Sequence, residues 1–285
     1  MREADLPCLG RNGFHRIHYV EWGDPDATSI VICVHGLTRS SRDFDTLAQA
    51  LQPDLRVVCP DVVGRGRSEW LRDAADYGYP QYCSDMAALI ARVTSGTRPR
   101  RLSWVGTSMG GIIGMILASR PGNPIERLVV NDIGVVVPKA ALERIGTYVG
   151  KDPRFPSFEA LVAYVRTVSA PFGPLSDEQW DHLARHTALR HPDGSWGFSY
   201  DPGIGIPFRK ASLEDVNLLE FWDRITCPAL LLRGAESDLL PRDIALKMTE
   251  RGPRARLVEF DGIGHAPMLM APEQIAVVRN FLLEA

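Results

Sequence analysis

The chain has 285 residues, 45% hydrophobic and 24% charged, with 32 Lys and Arg against 35 Asp and Glu. The net charge of −3 offers no basic excess for nucleic acid, and the apolar content excludes extended disorder. The length suits one large α/β domain carrying an insertion.

Five cysteines, Cys8, Cys33, Cys59, Cys83 and Cys227, are odd in number and follow no metal or disulfide spacing, which points to free thiols in a reducing compartment. The first residues lead into no apolar signal segment, and no apolar run approaches the ~20 residues that span a bilayer. The expectation is a cytoplasmic protein with a small-molecule substrate and with neither nucleic acid nor membrane as partner; the oligomeric state stays open.

Taken in order, residues 14–22 and the β-branched run 29–34 read as strands, the second ending at His35-Gly36. A helix follows over about 43–51, then a strand over 55–60 ending at Pro60-Asp61. Residues 101–106 form the next strand, 109–119 a helix and 127–131 a further strand. The rhythm returns with a strand at 229–233, a helix near 243–249, a strand at 255–260 and a helix from Pro272 to Leu283. Pro272 suits the first turn of that helix. Near-continuous apolar strands alternating with helices predict a mostly parallel, doubly wound sheet covered on both faces.

Between 134 and 222 the strand runs stop and prolines interrupt helical patches, while 12 of the chain's 23 aromatics fall in this stretch. A helical cap inserted after the sixth strand is expected, with some aromatics forming its own core and others facing a ligand. The domain boundaries expected are therefore 1–133 and 223–285 for the sheet domain and 134–222 for the cap, with Gly134 and Pro138 flanking a hinge.

Gly106-Thr107-Ser108-Met109-Gly110 is a G-x-S-x-G run between a strand and a helix. The turn it needs is so sharp that the residues two before and two after the nucleophile must be small, and the helix start supplies positive potential. Serine needs a base, and the base needs an orienting acid. His265, in Gly264-His265-Ala266 after the strand 255–260, is the expected base. Asp238, in the loop after 229–233, is the expected acid; Asp132, at the end of 127–131, is the alternative. Glu236 is expected to shape the turn.

The run Asp61-Val62-Val63-Gly64-Arg65-Gly66-Arg67-Ser68 lacks the lysine of a phosphate-binding loop and reads as a structural turn, with Ser68 expected to cap the following helix. His182 and His186 are four apart but carry no metal-site pattern, and no metal is expected.

Together these elements resemble the α/β-hydrolase superfamily over nearly the whole chain: His35-Gly36, the Asp61–Ser68 run, Gly106-x-Ser108-x-Gly110-Gly111, the Asp238 loop and Gly264-His265. The resemblance implies an oxyanion hole built from the backbone N–H groups of Leu37 and Met109, with His35 bonding inside its loop. It implies acyl transfer through Ser108 and no cofactor. Ser108-Met109-Gly110-Gly111 looks like carboxylesterases, lactonases and meta-cleavage-product C–C hydrolases. Ser108 stands where haloalkane dehalogenases and epoxide hydrolases carry aspartate.

The leading expectation is hydrolysis of a small, largely apolar ester or lactone. A C–C hydrolase is the alternative, and its acidic substrate needs a basic cap residue, for which Arg166, Arg185, Arg190, Arg209 and Lys210 are available. A non-catalytic ligand-binding protein on the same scaffold is the third reading.

Overall fold

The computed structural model describes residues 1–96, 101–209 and 213–284. The strands are β1 (Arg2–Gly10), β2 (Gly13–Trp22), β3 (Ser29–Val34), β4 (Arg56–Pro60), β5 (Arg101–Thr107), β6 (Ile125–Asn131), β7 (Val136–Val137), β8 (Ala188–Arg190), β9 (Trp196–Phe198), β10 (Val216–Asn217), β11 (Ala229–Gly234) and β12 (Arg256–Phe260). The α-helices are α1 (Asp45–Leu51), α2 (Tyr79–Thr94), α3 (Met109–Ala118), α4 (Lys139–Gly146), α5 (Phe158–Val168), α6 (Asp177–Thr187), α7 (Leu219–Asp223), α8 (Arg242–Glu250) and α9 (Pro272–Leu283).

Eight strands make one sheet in the order β1-β2-β4-β3-β5-β6-β11-β12. The first two are antiparallel to their neighbours, and every pairing from β4 through β3, β5, β6 and β11 to β12 is parallel. In β3, Ile30, Ile32 and Val34 face a core shared with Leu89 of α2, Ile113 of α3, Trp222 of α7 and Met248 of α8. Val31 and Cys33 face the other core, with Leu47 of α1 and Phe281 of α9. Because helices cover both faces, every second residue still meets apolar side chains, and the strand reads as an unbroken apolar run.

Within residues 1–133, β1 and α2 escape the sequence reading. β1 alternates charged and apolar residues around Pro7 and pairs only with β2, so it has the composition of an edge strand rather than a buried one. α2 buries Tyr82, Asp85, Met86, Leu89, Ile90 and Val93, a helical spacing that its polar start, Tyr-Pro-Gln-Tyr, obscures. Ser68 caps no helix. Its hydroxyl donates to the Asp61 carbonyl at 2.6 Å and accepts the His18 N–H at 2.8 Å, while the next helical turn is capped by Asp73.

The described residues between β6 and α7 add no strand to the large sheet. They carry α4, α5, α6 and two short β pairs, β7 with β10 and β8 with β9, where the sequence shows only helix. Leu161 and Val165 of α5 pack on Trp180, Leu183 and Ala184 of α6 and on Met268 and Met270. This segment is also tied to the Asp61–Ser68 turn: Gly66 N–H donates to Ser199 at 2.8 Å, Asp201 N–H to Gly64 at 2.8 Å, and Tyr77 hydroxyl to the Asp201 carboxylate at 2.6 Å.

Candidate active site

Ser108 joins β5 to α3 with φ 51° and ψ −113°, a left-handed backbone that costs a non-glycine residue on the order of 1–3 kcal/mol and persists only where packing enforces it. The enforcement is visible in the flanking glycines. A Cβ on Gly106 would lie 2.2 Å from the Gly110 carbonyl oxygen, and one on Gly110 would lie 2.0 Å from the Val34 carbonyl oxygen. β5, β3 and α3 therefore pack backbone against backbone around the turn. Ser108 N–H donates to the Asn131 carbonyl at 2.9 Å.

Three side chains form one hydrogen-bonded series. The Ser108 hydroxyl lies 3.0 Å from His265 Nε2, and His265 Nδ1 lies 2.7 Å from Asp132 Oδ2. Asp132 is wholly buried, and its Oδ1 accepts the Gly234 N–H at 2.8 Å. The carboxylate is thus held from both sides, with one oxygen aimed at the imidazole. His265 Nδ1–H donates to the carboxylate, which leaves Nε2 as an acceptor for the serine proton.

Asp238 is not brought to His265. Its side chain is half exposed and forms a bidentate pair with Arg144 of α4, at 2.7 and 3.0 Å. β11 runs beside β12, so both carboxylates leave strands near the His265 loop; the Gly234 N–H holds Asp132 Oδ1 and leaves Oδ2 facing the imidazole, while Asp238 turns to Arg144. The loop after β11 folds on the Ser237 hydroxyl, which accepts the N–H groups of Leu239 and Leu240 at 3.3 and 3.2 Å. Of the two carboxylates expected as the acid, the structure sets Asp132 rather than Asp238 against His265. Glu236 does sit in a turn, its N–H donating to Ile263.

The loop after β3 is braced from behind. His35, with no exposed surface, places Nδ1 2.7 Å from the Gly36 carbonyl and accepts the Val62 N–H on Nε2 at 2.9 Å. Burial lowers the His35 pKa from its ordinary value, which favours the neutral ring, and acceptance of the Val62 N–H on Nε2 places the ring proton on Nδ1. The peptide it grips is the one whose N–H belongs to Leu37. The Leu37 carbonyl in turn accepts Arg65 Nε at 2.8 Å. Arg65 is fully buried, donates to Val63 at 2.8 Å and stacks 4.9 Å from the Tyr82 ring. Met109 N–H is in the first turn of α3, where no carbonyl of the helix can accept it.

The series opens on a cavity of about 380 Å³ whose walls include Leu37, Val149, Tyr164, Phe172, Phe198 and Met268. Tyr164 and Phe198 also pack on Phe155, at 5.1 and 5.8 Å, so single aromatics serve both the segment's own core and the wall. Among the described residues the cations on the wall are Arg39 and Arg144, neither among the five basic residues that the sequence singles out. Of those five, Arg166 pairs with Asp177, Arg185 with Asp181, Arg190 lies over Trp196, and the Arg209 side chain and Lys210 lie outside the described residues.

Sequence reasoning also misses Asn131. It is buried, and its amide donates to Thr107 Oγ1 at 2.9 Å and to the Pro267 carbonyl at 2.8 Å, joining the Ser108 turn to the His265 loop. The only signal was a polar residue ending an apolar strand.

Among the described residues, two clusters have ligating atoms close together: Cys8, His15 and Asp85, and Asp45, His182 and His186. In the first, His15 Nε2 and Gln81 already bond the Asp85 carboxylate, at 3.0 and 2.7 Å. In the second, Arg42 holds the Asp45 carboxylate. All five cysteines are free thiols. No helix among the described residues is long and apolar enough to cross a membrane.

A strained serine turn beneath a mostly parallel eight-stranded sheet, with a histidine and a buried aspartate behind it, defines a hydrolase of the α/β type. The profile of the Alpha/beta hydrolase family matches residues 31–278, and the chain belongs to that family. It is 46% identical over 290 residues to the 3-hydroxybutyrate-oligomer hydrolase of Cupriavidus necator, covering 98% of this chain and 97% of that one. A solved α/β hydrolase from Novosphingobium aromaticivorans superposes with a TM-score of 0.85 at 36% identity over 98% of both chains. A second solved structure, from Rickettsia typhi, reaches 0.91 at 32% identity over 99% of both.

Proposed function

We propose that this protein hydrolyses esters of short, largely apolar hydroxy acids through an acyl-enzyme on Ser108. The observation that carries the reading is the series Asp132–His265–Ser108, with contacts of 2.7 and 3.0 Å, facing a cavity with mainly apolar walls. The C. necator relative, a 3-hydroxybutyrate-oligomer hydrolase, supports the substrate class.

The Ser108 oxygen attacks the ester carbonyl as its proton passes to His265 Nε2. Asp132 accepts the Nδ1–H bond and stabilises the imidazolium that forms. The developing oxyanion sits between the N–H groups of Leu37 and Met109, an arrangement worth several kcal/mol in related chemistry. His35, through the Gly36 carbonyl, orients the first of those donors. His265 then protonates the leaving alkoxide, and water activated by the same nitrogen releases the acid. No metal or organic cofactor takes part. Residues 134–222 act as a cap that shapes the acyl pocket over the domain formed by 1–133 and 223–285.

The test is turnover of p-nitrophenyl esters from acetate to octanoate, and of the linear 3-hydroxybutyrate dimer, by wild type and Ser108→Ala. Wild-type turnover with loss in Ser108→Ala supports the reading. Equal turnover by both proteins, or none by either, overturns it.

A further inference from the structure

We propose that Arg144 anchors a free carboxylate of the substrate, with Asp238 holding its place until substrate enters. The proposal rests on the ester-hydrolase reading and narrows the substrate class to hydroxy-acid esters that keep a terminal carboxylate, as short oligomers do and neutral esters do not.

Arg39 and Arg144, the two cations on the cavity wall among the described residues, differ in how they are partnered. Arg39 grips Asp43 with both forks, at 2.8 and 2.7 Å, its side chain only 12% exposed and that of Asp43 9%. Its guanidinium also lies 5.7 Å from the centre of the Phe172 ring. Displacing Asp43 would strand a nearly buried carboxylate, so Arg39 is committed to the fold.

Arg144 is placed differently. It pairs with Asp238 in the same bidentate geometry, but the two side chains are 45% and 51% exposed. Such a pair contributes about 0–1 kcal/mol, since water solvates both charges once they part. Exchanging Asp238 for another carboxylate therefore costs little, and the guanidinium fork is shaped for any carboxylate. Arg144 and Asp238 line the same cavity as Ser108 and His265. Arg144 comes from α4 and Asp238 from the loop after β11, so the pair spans the two parts of the chain that enclose the site. Apolar Ile145, Val149 and Leu239 complete this side of the wall, a surface suited to the hydrocarbon between an ester and its terminal acid. Asp238 thus occupies the position that a substrate carboxylate takes.

The experiment is calorimetric titration of the Ser108→Ala protein with the linear 3-hydroxybutyrate dimer, as the free acid and as its methyl ester. The free acid is expected to bind about tenfold tighter, equivalent to about 1.4 kcal/mol. Adding Arg144→Gln abolishes that difference, and adding Arg144→Lys, which keeps the charge without the fork, leaves part of it. Adding Asp238→Asn removes the competing carboxylate and widens the difference, a second readout that does not depend on how Arg144→Gln folds. Equal affinity for acid and methyl ester, or a difference that survives Arg144→Gln, overturns the proposal. Binding is read without turnover. A wild-type protein that discriminates the acid yet cleaves neither compound contradicts the ester-hydrolase reading alone.

Discussion

Asp132→Asn is the substitution that separates the two candidate acids, and the structure fixes what the amide must do. Asp132 Oδ1 accepts the Gly234 N–H at 2.8 Å and Oδ2 faces His265 Nδ1 at 2.7 Å. In asparagine the carbonyl oxygen must take the Gly234 position, because an NH₂ group there would oppose another donor. The NH₂ then faces His265 Nδ1 and donates to it. That forces the imidazole proton onto Nε2, where it points at the Ser108 oxygen 3.0 Å away, and the base can no longer accept the serine proton. The shape of the site is kept while its tautomer is inverted. Losses of about 10⁴ in kcat, on the order of 5.5 kcal/mol of barrier, accompany this inversion in serine hydrolases. Asp238→Asn breaks only a half-exposed pair with Arg144, so kcat on a neutral p-nitrophenyl ester should change by less than tenfold. Steady-state kinetics of both variants at pH 7.5 decide the matter. A loss below tenfold in Asp132→Asn, or a 10⁴-fold loss in Asp238→Asn, refutes the assignment of the acid.

Further outcomes follow from particular contacts. Burial, then the Arg42 guanidinium and His182, push the His186 imidazole down to about 4 from its ordinary 6.5. Between those values the unfolded chain binds a proton that the folded chain does not, so stability falls as pH drops from 6.5 towards 4. The melting temperature should be lower at pH 5 than at pH 7.5, and His186→Gln should flatten that slope; an unaltered slope contradicts the reasoning. Asp61 is buried and accepts the Ser41 N–H at 2.7 Å and the Arg67 N–H at 2.8 Å. Asp61→Ala strands both donors and should cost about 2–4 kcal/mol in urea unfolding; a cost under about 1 kcal/mol means that the turn finds other acceptors. Prolonged dialysis against EDTA should leave ester hydrolysis unchanged, and a loss that a divalent cation restores would place a metal in the mechanism.

The sheet was legible because its central strands are buried on both faces. Ile30 to Val34 and Ala229 to Leu232 each read as continuous apolar runs, and no competing element accounts for them. The serine turn was legible because its geometry excludes side chains at Gly106 and Gly110. His265 stood out by its glycine-rich loop after a late strand. The acid did not, because Asp132 and Asp238 both follow strands. What separates them is which side chain turns to His265, Asp132 with its other oxygen held by Gly234 or Asp238 paired with Arg144, long-range contacts that local sequence does not carry. Arg144 escaped for a similar reason. On α4 it is one basic residue among many, and only the fold sets it opposite Asp238 at the mouth of the cavity. Asn131 and Arg65 act by bonding backbone carbonyls of distant loops, contacts with no spacing to recognise. The short pairings β7 with β10 and β8 with β9 were hidden because two- and three-residue strands leave no period to read.

Ser108 acts here as a nucleophile activated by His265 and Asp132, the reading on which the proposed chemistry rests. Peptide-mapping mass spectrometry after reaction with a fluorophosphonate tests it most directly, because the reagent couples only to an activated hydroxyl. One adduct per chain is expected, on Ser108, absent in Ser108→Ala and formed far more slowly in His265→Ala and Asp132→Asn. An adduct on another residue, or equal labelling of Ser108 in the Asp132→Asn and wild-type proteins, would contradict it.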